Sequence, residues 1–336
     1  MAAFFFISGV LFSSRRFPDF KSYLFHKSKV LLLPYITLSF LFLALDPVLY
    51  DFDIYPHAQQ IKVAYQNVEV GGLGRYLVLC MENVFVEGMS VPCAGPLWFV
   101  YNLYFVSLGF FLVQGVASWI SGKISDNKLW VKNLTIGFMG AIFFGIGFIL
   151  SMNKAHLPLG IERICSTLFY FSAGFLCKEP IKALNNLAQS RKNWILPVIA
   201  CVSFTVYGLV KDPSPWVGFY NNKISLLLVA SSFFGILGLI SLLSFVSSFK
   251  GTVNQRVLGV LRNISRNGLI VLAVHFWTLM MIKTLFKPVF DQPKIAYTVF
   301  PIVVISVVVS IPLFRNKLYW LIGKEKVSVR ESLSLK

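Results

Sequence analysis

His275 stands seven residues into the apolar run GLIVLAVHFWTLMM. Histidine changes its charge near neutral pH. Inside an apolar run it reads either as a proton-handling group or as a ring bonded to a neighbouring helix. A second set lies in GPLWFVYNLYF, where Trp98, Tyr101, Asn102 and Phe105 follow i, i+3, i+4, i+7 spacing and so share one helical face. Trp98 and Tyr101 suit a pocket lining or an aromatic belt at a membrane surface, while Asn102 lies deeper. Glu162 and Arg163 open the run GIERICSTLFYFSAGF, as an interfacial ion pair or as groups that meet a polar substrate. Glu87 in FVEGMSVP is an acid at an outer mouth or an ordinary loop acid. Lys27 and Lys29 in FHKSKVLLLPY stand where a helix begins. Ammonium groups there fix topology, or they hold phosphates as point charges.

The motifs of soluble enzymes are absent. GGLG is not GxGxxG, no phosphate-binding P-loop occurs, and no GxSxG elbow is present. None of His26, His57, His156 and His275 begins HxxxD or pairs into HExxH. Five cysteines (Cys80, Cys93, Cys165, Cys177, Cys201) form no CxxC and no zinc spacing, so no metal site is expected. Cys80 and Cys93 share one outer loop and either pair or remain thiols.

The elements that position these groups are set by composition. The chain has 336 residues, 56% of them hydrophobic and 13% charged, where a soluble protein carries about 25% charged residues. Its mean hydropathy is +0.71. These values describe an all-α polytopic membrane protein. Runs long enough to span are residues 30–50, 96–120, 131–152, 160–177, 194–210, 224–249, 268–286 and 296–314. The expectation is a helical bundle of eight full spans plus one partial N-terminal span. That partial span is MAAFFFISGVLF, too short to cross the roughly 30 Å of a bilayer core alone.

Net charge is +17. The basic residues cluster in alternate connections, which assigns them to topology rather than to nucleic acid. Residues 13–29 hold Arg15, Arg16, Lys21, Lys27 and Lys29; 178–193 hold Lys178, Lys182, Arg191 and Lys192; 250–267 hold Lys250, Arg256, Arg262 and Arg266. The tail has Arg315, Lys317, Lys324, Lys326, Arg330 and Lys336, whereas residues 51–95 carry only Lys62 and Arg75 among several acids. Rich and poor loops alternate if residues 76–85 form an interfacial helix and do not cross. The rich loops and the C-terminus then face the cytoplasm.

Five blocks, in order, resemble the acyltransferase-3 family, especially its branch related to fucose O-acetylases. They are MAAFFFISGVLF, FKSYLFHKSKVLLLPYITLSF, GPLWFVYNLYF, LPLGIERICSTLFYFSAGFLCK and LRNISRNGLIVLAVHFW. The first is similar to the opening of the family's second membrane helix, so Met1 aligns with an internal methionine. The resemblance implies a ten-helix bundle in a bacterial inner membrane that moves an acyl group, often acetyl from acetyl-CoA, onto a hydroxyl of an extracytoplasmic sugar. Residues 1–314 would form this domain and 315–336 a cytoplasmic tail.

It also implies that the family's principal histidine lies in a first helix this chain lacks. His275 matches the family's late-helix histidine. Lys27 and Lys29 would meet the phosphates of acyl-CoA, although the family's basic pair in this helix is spaced differently. Trp98, Tyr101 and Asn102 would line the pocket. Glu87, Glu162 and Arg163 would face the sugar or polysaccharide acceptor. The expected partners are acyl-CoA, that acceptor and membrane lipid, with no nucleic acid. Rival readings are an inactive remnant of such an enzyme, a flippase or transporter, and a polysaccharide polymerase.

Overall fold

The structure is a computed structural model. It describes residues 2–14, 17–51, 74, 77–89, 92–124, 128–155, 157–210, 225–249, 251–285 and 295–322. The elements in chain order are α1 (Ala2–Leu11), α2 (Phe20–Lys27), a π-helical turn (Ser28–Leu32), α3 (Leu33–Asp51) and α4 (residues 77–85). A 3-10 turn (Pro92–Leu97) leads into α5 (Trp98–Ile124), α6 (Lys128–Met152), α7 (Ile161–Leu176), α8 (Lys178–Ala188) and α9 (Ile195–Val210). The chain continues with α10 (Leu226–Ser248), α11 (Thr252–Arg266), α12 (Gly268–Leu285) and α13 (Ile295–Asn316). No strand occurs among the described residues. In hydrocarbon a lone segment must satisfy its own N–H and C=O groups, and only the helix does that.

Each run expected to span is helical over most of its described residues, and the count of eight full spans is not confirmed. Among the described residues five stretches are long and apolar enough to cross: Phe20–Leu45, Gly95–Ile124, Leu129–Met152, Leu226–Ser248 and Val299–Asn316. Ala2–Leu11, Ile195–Val210 and Gly268–Leu279 are shorter apolar stretches. α7 has 16 residues, a rise of about 24 Å, which falls short of a hydrocarbon core of about 30 Å. Exposed Leu112, Phe138, Ile149, Leu226, Phe300 and Val309 give these helices the apolar outer surface that lipid accepts.

Several expected loops are helices. α2 runs through the π-turn into α3, so Lys27 and Lys29 lie inside one continuous helical segment, not at a fresh helix start. The basic stretches 178–193 and 250–267 contain α8 and α11. Residues 77–85 are helical, as an interfacial segment would be.

The chain forms two compact units. One comprises Met1–Tyr23 and Phe105–Val260. Its helices approach backbone to backbone wherever a side chain is missing. A Cβ at Gly9 would run into the Phe171 carbonyl, and one at Gly174 into the Phe6 carbonyl. Likewise Gly140 faces Ser172, and Gly147 faces Ser166. Small residues thus join α1 and α6 to α7, as close packing in lipid requires. Phe12 stands edge-on to Tyr23, Phe110, Phe171 and Phe175. The Lys178 ammonium donates to the Phe12 carbonyl just past α1 and lies 4.4 Å from the Phe175 ring. Burial pushes this ammonium below the usual lysine pKa.

The other unit comprises Leu24–Tyr104 and Leu261–Lys336. Here the Pro92–Leu97 turn packs on α3 and α12. Gly95 has φ +51° and sits against the Phe276 ring, which leaves no room for a Cβ. Phe42 of α3 stacks on Trp277 of α12 at 5.2 Å. Ile270 of α12 and Val307 and Ile311 of α13 form a buried cluster. The Thr37 hydroxyl donates to the Leu321 carbonyl at 2.7 Å, tying α3 to the last 3-10 turn.

Candidate functional site

His275 lies on α12, half-buried. Its Nδ1 is 2.7 Å from the Val271 carbonyl oxygen one turn back. A carbonyl only accepts, so Nδ1 carries the proton, and in the neutral form of the ring Nε2 is the acceptor. A local bond thus fixes the tautomer suited to taking up a proton. This bond ties the ring to its own helix, not to a neighbouring one.

Trp98, Tyr101 and Asn102 occupy the start of α5, at 2%, 4% and 3% exposure. An aromatic belt would leave the first two open to headgroups; both are instead buried inside the unit. The Tyr101 ring lies 5.0 Å from Tyr35, and its hydroxyl points at the Phe85 carbonyl at 3.4 Å. Tyr35 shares its hydroxyl proton between the carbonyls of Val84 and Met89, each at 2.9 Å. Two tyrosines therefore hold the segment that ends at the turn containing Glu87. Glu87 itself is exposed. In the bare sequence Tyr35 is one more aromatic in an apolar run. Its place between Leu33-Pro34 and Thr37 carries no spacing signal.

Lys27 is half-buried and Lys29 exposed, on either side of Ser28. The Leu33 N–H reaches back to the Ser28 carbonyl, the bond that makes this turn π-helical. Ser28 Oγ lies 3.0 Å from the Tyr104 hydroxyl. π-turns within α-helices recur at functional sites. Residues two apart on a helix point different ways, so the two ammonium groups suit separated phosphates better than a single one.

These groups all belong to the unit formed by Leu24–Tyr104 and Leu261–Lys336. α12 brings His275 next to Phe276, which abuts Gly95, three residues before Trp98. The same unit has an apolar cleft of about 380 Å³ lined by Leu38, Phe42, Val274, Trp277, Met281 and Phe314, among others. His275 does not line it. Thr278, one of its few polar side chains, donates inward to the Val274 carbonyl at 3.0 Å. The cleft can take an apolar chain and offers nothing to a phosphate. Ser39 Oγ and Trp277 Nε1 are buried without a hydrogen-bond partner. Neither residue stands out in the sequence, where serines and tryptophans are common.

Glu162 and Arg163 belong to the other unit. They are 2% and 6% exposed. Arg163 Nε lies 3.6 Å from Glu162 Oε1, and the Leu157 N–H donates to Glu162 Oε2 at 3.2 Å. Gly160, in the left-handed region at φ +65°, lets the chain fold over the guanidinium, where a Cβ would collide. The pair stabilises the start of α7 by holding a carboxylate at its positive end. Cys80 is buried; the Cys93 side chain lies outside the described residues, as do His57, His156 and most of the tail. Among the described residues no cluster of His, Cys, Asp and Glu can hold a metal.

The model of the acyltransferase-3 family, described as an acyltransferase domain, matches residues 1–315. No curated protein and no solved structure matches the chain.

Proposed function

The chain belongs to the acyltransferase-3 family, and we propose that it moves an acetyl or related acyl group from cytosolic acetyl-CoA to a hydroxyl of an extracytoplasmic sugar. The branch related to fucose O-acetylases, whose sequence blocks it resembles, sets this choice of donor and acceptor. The membrane is a bacterial inner membrane, with the lysine- and arginine-rich connections and the C-terminus in the cytoplasm.

The observation that carries the residue assignment is the Nδ1–Val271 bond of His275. A sugar hydroxyl is a weak nucleophile until a base takes its proton. In the proposed reaction the hydroxyl oxygen attacks the thioester carbonyl, a C–O bond forms, and the C–S bond then breaks. The hydroxyl proton passes to His275 Nε2 and on to the departing CoA thiolate. Donors must stabilise the negative charge on the carbonyl oxygen; Asn102 and Trp98 are the side chains we assign to that role. Lys27 and Lys29 meet CoA phosphates, and Glu87, Glu162 and Arg163 serve the acceptor side. Because Glu162 and Arg163 are buried, they serve it by shaping the α7 start rather than by open contact.

The test is acetyl transfer from radiolabelled acetyl-CoA to surface glycan in cells expressing the chain, against cells without it. We expect His275→Ala to lower transfer by about 10²- to 10⁴-fold, the range of a lost general base, with membrane content of the protein unchanged. Equal transfer by the variant would remove His275 from the reaction. No transfer by the parent chain would overturn the enzymatic reading for this chain.

A further inference from the structure

Two neighbouring residues of α12 dock on two different elements. The Phe276 ring lies over Gly95 in the Pro92–Leu97 turn, where a Cβ would run into its Cγ, Cδ1 and Cε1 atoms. Trp277 stacks on Phe42 of α3, with centroids 5.2 Å apart and planes 22° apart. Nearer the start of α12, Ile270 packs with Val307 and Ile311 of α13. His275 stands between these anchors. Its own ring is tied to the same helix through Nδ1 and the Val271 carbonyl at 2.7 Å.

Successive residues of a helix point about 100° apart. Contacts at 276 and 277 therefore restrain the rotation of α12 about its axis from two directions. The residue just before them inherits that restraint. The imidazole cannot turn independently of the helix without losing its Val271 bond, so its bearing is set where Phe276 and Trp277 dock.

The Phe276 contact has a particular partner. Gly95 has φ +51° and ψ −114°, a conformation that glycine adopts without the clash a side chain brings. The missing Cβ meets the body of the Phe276 ring, not the tip of a flexible chain. The turn runs directly into α5, where Trp98 follows and Asn102 lies one helical turn further. The contact thus sets the bearing of α12 against the start of α5.

We propose that Gly95 and Phe276 are positioning residues for the His275 imidazole, fixing its bearing relative to Trp98 and Asn102. Their part in acyl transfer rests on the function proposed above; the bearing of the ring does not.

The experiment applies diethylpyrocarbonate, which acylates an unprotonated ring nitrogen, to the full chain in nanodiscs. Mass spectrometry follows modification of His275, with exposed His26 as the reference for reagent. The variants are Gly95→Ala and Phe276→Leu, the second keeping an apolar side chain but losing the flat ring. Ile270→Ala loosens α12 away from the contact, and all samples must match the parent in helical content. We expect modification of His275 to speed up several-fold in the first two variants and to stay near the parent rate in Ile270→Ala. No change in the first two, or an equal rise in all three, would overturn the proposal. In acetyl transfer, Phe276→Leu should lower kcat by up to about 10²-fold with KM for acetyl-CoA unchanged. It should cause no further loss in the His275→Ala background. A full further loss there would overturn the part in transfer. Unchanged transfer by His275→Ala itself would overturn the base, and the modification rates would still decide the bearing.

Discussion

At the residue scale, several polar side chains within the apolar helices are fixed by partners one turn away. His275 takes its tautomer from Val271, Thr278 spends its proton on Val274, and Ser166 spends its own on the Glu162 carbonyl at 2.8 Å. A side chain satisfied by its own helix can sit in an apolar setting at little cost. The same economy operates outside the bilayer at Asp19, where Oδ1 accepts the Ser22 N–H at 2.8 Å and caps α2. The Ser22 hydroxyl, and then its N–H, hold the Asp19 carboxyl below its usual pKa. A depressed pKa means that the cap is present above the ordinary aspartate value and lost as pH falls through the lower folded value. Protection of the Ser22 amide hydrogen against exchange, taken relative to its intrinsic rate at each pH, should therefore be present near neutral pH and be lost only below about pH 4. In Asp19→Ala that protection should be weak throughout. Amide exchange followed by mass spectrometry reads both outcomes.

At the element scale, the apolar runs announce α3, α5, α6, α10 and α13 because some twenty greasy residues admit no other structure in lipid. α8 and α11 look instead like basic connections. Their apolar residues recur every three or four positions among lysines, arginines and asparagines, and a search for unbroken apolar runs does not register that rhythm. Site residues divide the same way. The shared face of Trp98, Tyr101 and Asn102 is legible from spacing, whereas Tyr35 holding residues 84–89 depends on contacts far apart in the chain. The junction of α1 with α7 is equally hidden, since FFFISGVL and FSAGFL show two glycines but not that they meet. Packing there has no slack. Gly174→Leu should push α1 off α7 and lower stability by about 1–3 kcal/mol or more, the cost of overfilling a packed contact. Gly115, with nothing near its absent Cβ, should accept alanine without loss. Thermal unfolding in detergent compares the two.

At the scale of the whole molecule, sidedness is the property that any transmembrane transfer needs. The orientation proposed from the alternation of basic and non-basic connections would put Lys317 in the cytoplasm and Glu87 outside, and both are exposed. In right-side-out vesicles a membrane-impermeant maleimide should label Glu87→Cys and spare Lys317→Cys, with the pattern reversed in inverted vesicles. Labelling of both from one face would refute the assigned orientation. Composition discloses the membrane but not the division into two compact units, because segments far apart in the chain build each of them. The π-turn at Ser28–Leu32 has a consequence of its own. Such a turn holds one residue more than a regular helix would, so each of its residues turns the helix by less than the α-helical value of about 100°. It therefore absorbs an extra residue in the middle of a rod. Losing one codon there would heal the rod into uniform pitch and leave Lys27 near its present bearing relative to Tyr35, while the widened backbone at Ser28 closes.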